Sequence, residues 1–268
     1  MRVRVSLFVT CLVDTFFPDV GVSAVRLLRR LGVEVDFPAG QTCCGQPAYN
    51  SGFPAAAREG AVQFVRAFEG SEWIVSPSGS CAAMIRHHFP ALLAGSPLER
   101  EAGRLAGRTY ELTQFITEVL GIDDLGGRFP GVGTYHSSCH MARGLGVREA
   151  PKRLLRRVRD FQLVDLPGEE ECCGFGGTFA VKMPSLSTAM ADEKLRGVEE
   201  TGAHYLLGSD MACLMHLRGR MEKLGRRVEV MHVAQLLERA TRASALAEEG
   251  ARNGALSEGA GSGEAVAQ

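Results

Sequence analysis

The period of apolar positions changes repeatedly along this chain. Val3-Arg4-Val5-Ser6-Leu7-Phe8-Val9 passes from alternating to continuously apolar over the length of a strand. Val22, Val25 and Leu28 then recur at helical spacing within residues 19–31, and Gly32 marks the stop. Val33 to Phe37 reads as a second strand closed by Pro38, and Ala61, Phe64, Val65 and Phe68 mark one face of a helix. Trp73-Ile74-Val75 is a third strand, after which Ser76 to Ser80 turns the chain into a helix opened by Cys81.

The join to the second half is also legible. Ser96-Pro97-Leu98-Glu99 is a capping box, Leu112, Phe115, Ile116 and Val119 outline a helix ending at Gly121, and Asp123 to Gly131 reads as a linker. The grammar then repeats: a strand up to Cys139, a helix near 149–159, a strand from Phe161 to Leu166, a helix over about 185–200 and a strand at Tyr205-Leu206-Leu207. A late strand, Val228 to Met231, leads into a helix through Glu238. Strand and helix in alternation imply an α/β fold in which each half is a mostly parallel sheet flanked by helices. The expected organisation is a first domain over 1–122, a linker over 123–131, a second domain over 132–242 and a disordered tail over 243–268, where Ala, Gly, Ser and Glu dominate.

The cysteines show that the halves are copies. Cys43-Cys44-Gly45 and Cys172-Cys173-Gly174 each follow a Val-Asp-Φ-Pro stretch whose proline stands five positions before the first cysteine. Cys11 precedes the first pair by 32 residues and Cys139 precedes the second by 33, while Cys81 and Cys213 follow at 37 and 40. All eight cysteines of the 268-residue chain fall into this duplicated pattern. In a parallel layer, loops at the C-terminal ends of the strands converge on one edge, so each set of four is expected to meet there.

Bulk composition narrows the chemistry. A net charge of −1 gives no reason to expect nucleic acid, and no apolar run approaches a membrane span. Residues 1–14 are read as a strand in preference to an export signal, which places the chain in the reducing cytoplasm. There, clustered cysteines read as metal ligands or redox thiols. Four soft donors suit one iron–sulfur cluster or one zinc ion. Gly45 and Gly174 are expected to take positive φ and bend the backbone beside the cofactor. A vicinal dithiol enzyme leaves Cys11, Cys81, Cys139 and Cys213 without a role, and zinc in both halves lacks the usual short ligand spacing. Gly174 to Phe179 is not a nucleotide loop, since its sixth position is not glycine. His136 and His140 flank Cys139, where the first half has Phe8 and Leu12, and are read as sources of a tuning hydrogen bond to the second centre.

These motifs resemble the cysteine-rich CCG domain family, which includes the cysteine-rich component of heterodisulfide reductase and the iron–sulfur subunits of glycolate oxidase and anaerobic glycerol-3-phosphate dehydrogenase. Phe8-Val9-Thr10-Cys11, Cys43 to Ala48 with Asn50-Ser51-Gly52, Ser76 to Cys81, Cys172 to Phe179 and Met231 to Ala234 are most similar to the lactate utilisation protein A family. The resemblance implies an iron–sulfur electron-transfer component of an L-lactate oxidation system. It also implies two companion lactate-utilisation proteins, one with ferredoxin-type clusters, and activity that depends on them. The implied ligands are Cys11, Cys43, Cys44 and Cys81 for one centre and Cys139, Cys172, Cys173 and Cys213 for the other, with zinc in one half of some relatives. Members close to heterodisulfide reductase end each repeat in Cys-x-x-Cys, whereas this chain has Ser78-Gly79-Ser80-Cys81 and Asp210-Met211-Ala212-Cys213. Four cysteines per site suit a 4Fe-4S cluster, with Asp210 a spare oxygen ligand. A thiol–disulfide reductase and a zinc-stabilised scaffold are the alternative functions, and no residue is singled out as catalytic.

Overall fold

The computed structural model describes residues 3–244. The first sheet has β1 (Arg4–Leu7), β2 (Glu34–Asp36), β3 (Trp73–Ser76) and β4 (Thr109–Glu111), ordered β2-β1-β3-β4 with every pairing parallel. The second has β5 (Arg128–His136), β6 (Arg159–Val164), β7 (Tyr205–Gly208) and β8 (Glu229–His232), ordered β6-β5-β7-β8 and again parallel throughout. Registers such as Leu7 opposite Val75 and Tyr135 opposite Leu207 place apolar residues side by side at the sheet centres. Parallel neighbours require a crossover for each connection, and the helices between strands supply it.

One apolar cluster draws on both sheets, from Val5, Leu7, Leu27 and Phe115 in the first half to Tyr135, Leu155, Leu207 and Leu237 in the second. The helices Pro18–Arg30 and Glu149–Arg156 and the helical stretches at 112–119 and 233–244 fill it. Each sheet's other face has its own cluster, around Phe64, Phe68 and Phe89 in one half and Leu195, Leu214 and Leu217 in the other. The halves are thus joined by shared burial as well as by sequence. Arg30 reinforces the join by donating to Thr241 Oγ1 at 2.5 Å and pairing with Glu238 at 3.5 Å.

The departures from the sequence reading are local. β5 starts at Arg128, inside the stretch expected to be linker, because Arg128 and Gly131 to Thr134 pair along β6. The capping box works two residues upstream of the helix: Ser96 Oγ accepts from Leu98 N at 3.3 Å and Glu99 takes Gly95 N at 2.8 Å, while the helix itself runs Glu99–Gly107. β4 has no counterpart in the apolar pattern, since it is three residues long and ends in a buried glutamate. The helix after β8 continues through residue 244, past the expected boundary at 242, and the remainder of the expected tail lies outside the described residues. No helix among the described residues is long and apolar enough to cross a membrane.

Glu111 is wholly buried. Its Oε2 accepts from Thr113 N at 2.7 Å, Thr113 Oγ1 at 2.5 Å and Gln114 N at 3.1 Å, capping the helix after β4. Its counterpart at the end of β8, His232, caps the following helix through Nδ1, which accepts from Ala234 N at 3.1 Å. Burial pushes the Glu111 carboxyl up to about 7 from an ordinary 4.5, against the pull of those hydrogen bonds. The folded chain therefore keeps a proton that the unfolded chain releases. This contribution to stability is full below about 4.5 and is lost as pH rises through about 7. Buried His136 and His232, lowered to about 3 and about 4, act in the opposite sense, so the comparison must be with a single variant. Thermal melts across that window should show the native chain losing about 3 kcal/mol relative to Glu111→Gln; parallel curves would mean that Glu111 does not titrate there.

Candidate metal centres

Each nest of cysteines is assembled by the ends of three strands. In the first, Cys11 opens the helix Cys11–Phe16 after β1, Cys43 and Cys44 lie in the loop after β2, and Cys81 sits in the first turn of the helix Gly79–Leu92 after β3. Ser78 caps that helix, its Oγ accepting from Cys81 N at 3.3 Å. The sulfurs come together as two pairs, Cys11–Cys43 at 3.5 Å and Cys44–Cys81 at 3.4 Å. Cys11 is exposed and Cys43 half-buried, whereas Cys44 and Cys81 are buried.

Side-chain amides fix this loop to the sheet edge. Gln41 Oε1 accepts from Val9 N at 2.9 Å while its Nε2 donates to the carbonyls of Leu7 and Pro38 at 3.2 and 3.1 Å. Gln46 Nε2 reaches Ser80 O at 3.0 Å, and Gln63 Nε2 reaches Gly40 O at 2.8 Å. The second loop is held at the matching place by buried Lys194, which donates to the carbonyls of Gly168 and Glu169.

The second nest repeats the layout. Cys139 precedes a π-helical turn, His140–Leu145, Cys172 and Cys173 follow β6, and Cys213 lies in the first turn of the helix Met211–Lys223. Gly174 N donates to Cys172 Sγ at 3.4 Å, and His140 Nδ1 lies 3.5 Å from Cys139 Sγ. Cys173 Sγ, Cys213 Sγ and a ring nitrogen of His136 lie within 4.8 Å of one another. All eight thiols are free. In each nest one sulfur is strongly acidified by its neighbours. The Cys11 thiol, and after it the Cys44 thiol, pulls Cys43 down to about 2; Cys139 and then Cys173 do the same to Cys172. Cys11, Cys44, Cys139 and Cys173 are pushed up in return.

Gly45 and Gly174 both take positive φ, +76° and +88°. A Cβ on Gly45 would sit 3.1 Å from the Ala57 backbone, and one on Gly174 only 2.5 Å from Ser187 O. These glycines seat the vicinal pairs directly against the helices Pro54–Ala67 and Pro184–Glu200.

Asp210 corrects the expectation of a spare oxygen ligand. Its carboxylate is buried and turned toward the other half: Oδ1 accepts from Ser78 Oγ and Ser80 Oγ at 2.7 Å each, and Oδ2 accepts from Ser80 N and Ser138 Oγ at 2.8 Å each. With four donors filling its two oxygens, it has no lone pair free for a metal. Ser78 and Asp210 stand 132 residues apart, the same offset as Cys81 and Cys213, so a donor and an acceptor occupy equivalent places and meet across the join. Ser78, Ser80, Ser138 and Gln41 carry no isolated motif. The signal available in the sequence is the contrast of Ser-Gly-Ser with Asp-Met-Ala at matched positions before a cysteine.

The profile of the cysteine-rich domain family CCG matches residues 5–86 and again 133–218, spans that contain one nest each. The chain belongs to the CCG cysteine-rich domain family. Within this CCG family it groups with homologues named lactate utilization protein A. It is 53% identical over 235 residues to that of Geobacillus thermodenitrificans (strain NG80-2), covering 87% of this chain and 98% of the relative. It is 51% identical over 235 residues to that of Oceanobacillus iheyensis (strain DSM 14371 / CIP 107618 / JCM 11309 / KCTC 3954 / HTE831), covering 87% and 96%. The CCG pair is also similar in fold to a hypothetical protein from Helicobacter pylori, with a TM-score of 0.63 at 8% identity over 89% of this chain and 49% of that one.

Three substitutions test the local geometry. Asp210→Ala would remove the acceptor shared by three hydroxyls and an amide in the join, and should cost about 3 kcal/mol, seen as a melting temperature lowered by roughly 6–12 °C. Gly174→Ala should destabilise more than Gly45→Ala, by upwards of about 2 kcal/mol in denaturant titrations, because only the former meets a carbonyl at 2.5 Å.

Proposed function

We propose that this chain is an iron–sulfur electron-transfer subunit in the oxidation of L-lactate to pyruvate. The observation that carries the reading is the double convergence of four free thiols, each set from the ends of three parallel strands. The donor set fits a soft metal group: the sulfurs are crowded and one in each nest is acidified. Cys11, Cys43, Cys44 and Cys81 hold the first centre, and Cys139, Cys172, Cys173 and Cys213 the second. A 4Fe-4S cluster in these places supplies one-electron storage.

The chain's own residues do the rest. Gln41, Gln63 and Lys194 keep the cysteine loops at the sheet edges, and Gly45 and Gly174 let the vicinal sulfurs face inward. Lactate oxidation to pyruvate releases two electrons and two protons, and two one-electron centres match that traffic. The sequence has neither a flavin nor a nicotinamide motif, so substrate oxidation and onward transfer fall to two companion proteins in the cytoplasm, one of them carrying ferredoxin-type clusters. Relatives named for lactate utilization at about half identity over nearly their whole length support a role in lactate utilisation.

Anaerobic purification with iron and sulfide assays checks the reading. Iron and sulfide should be present, Cys44→Ser and Cys173→Ser should each lower them, and alkylating reagents should reach the cysteines only after iron is stripped. Iron-free protein that still supports full lactate oxidation with its companions would overturn the assignment. Thiols that alkylate freely and cycle with a small disulfide would favour a thiol–disulfide reductase, and zinc in both nests without visible absorption would favour a scaffold.

A further inference from the structure

The two nests differ at one buried position. Phe8 in the first half packs edge-on against Phe64 and Phe68, with ring centroids 5.3 and 5.7 Å away. At the equivalent place, three residues before Cys139, the second half has His136, the last residue of β5. His136 is 1% exposed, and neither of its ring nitrogens has a hydrogen-bond partner among the described residues. Burying an imidazole with both nitrogens unsatisfied is costly, and a buried polar group of this kind signals a partner that is bound rather than built in. The nearby ionisable groups do not supply one: Lys194 is committed to the carbonyls of Gly168 and Glu169, and Glu169 to Ser137 and Lys152.

Two cysteine sulfurs lie close to the imidazole. A ring nitrogen of His136 and the sulfurs of Cys173 and Cys213 form the one group of three ligand atoms among the described residues that lie within 4.8 Å of one another. Metal–nitrogen distances of about 2.0–2.1 Å and metal–sulfur distances of about 2.3 Å put neighbouring ligands of a tetrahedral ion about 3.5–3.8 Å apart. A contraction of at most about 1.3 Å, within the reach of side-chain rotation, closes the group on a metal.

We propose that His136 is a nitrogen ligand of the second centre beside Cys173 and Cys213, taking the place of one of the four thiolates of that nest and making it a mixed Cys/His site while the first is ligated by sulfur alone. This rests on the reading that both nests hold metal. Imidazole nitrogen beside thiolate suits iron and zinc alike. A neutral imidazole in the coordination sphere carries less negative charge than a thiolate, and histidine ligation raises the potential of iron–sulfur centres. With iron in both nests, the second is then the easier to reduce and electrons settle there. His140, whose Nδ1 lies 3.5 Å from Cys139 Sγ, is a hydrogen-bonding neighbour in this arrangement and not the nitrogen ligand.

The test is X-ray absorption at the iron and zinc edges of the full chain purified anaerobically, alongside His136→Phe and His140→Ala. The Phe variant gives the second nest the residue that the first already accommodates. The expected result is a nitrogen scatterer near the metal in the native chain, kept in His140→Ala and lost in His136→Phe. The Phe variant should also hold the second nest's metal more weakly against a chelator, by more than the roughly 10–100-fold that loss of an outer hydrogen-bonding partner costs. The native spectrum decides the question even if the Phe variant folds poorly. Metal retained in an all-sulfur shell by the native chain overturns the proposal, as does a nitrogen signal lost in His140→Ala but kept in His136→Phe. Absence of metal from both nests instead overturns the reading beneath it, and the proposal with it.

Discussion

The carboxylate of Asp210 holds the middle of this molecule together. It is buried at the join of the two halves and saturated by three serine hydroxyls and one amide, two of the hydroxyls and the amide coming from the turn that delivers Cys81. A buried anion is tolerable only when its lone pairs are met. Here they are met largely by the other half of the chain, so the position of one nest is tied to that of its twin. Gly79 N donates to Ser209 O at 3.3 Å, and a Cβ on Gly79 would lie 2.5 Å from Met141, so backbone also meets backbone along this seam. The shared apolar cluster supplies the bulk of the attraction between halves, while Asp210 sets the register.

The architecture is legible in the sequence because duplication doubles every signal. A run such as Trp73-Ile74-Val75 is ambiguous alone, but the cysteine that follows it and the copy at Tyr205 to Cys213 fix its meaning. Parallel sheets with both faces covered give apolar runs instead of alternation, and that is how β3 and β7 read. The convergence of Cys11, Cys43, Cys44 and Cys81 follows from topology alone, since each lies beyond the C-terminal end of a strand in one sheet.

What stays hidden is whatever depends on the relation between copies. β4 is three residues of mixed polarity, stabilised by pairing with β3 and by the internal cap of Glu111, and neither leaves an apolar period. Asp210 resembles a ligand because it neighbours a cysteine; its true partners are remote in sequence and lie across a boundary that one-dimensional reading treats as a gap. His136 stands out in the sequence as the odd residue near Cys139, yet only the structure shows that its nitrogens lack partners and that two cysteine sulfurs lie within 4.8 Å of one of them.

The gradient of exposure within each nest has its own consequence. Cys11 is open to solvent and Cys43 is half-covered, while Cys44 and Cys81 form a dry floor; Cys139 and Cys172 are likewise less covered than Cys173 and Cys213. Each nest thus has a wet lip and a sealed base. Traffic with another molecule, whether an electron from a docked protein or an attacking oxidant, has to cross that lip. The route that makes the nest useful is therefore also the side from which it corrodes.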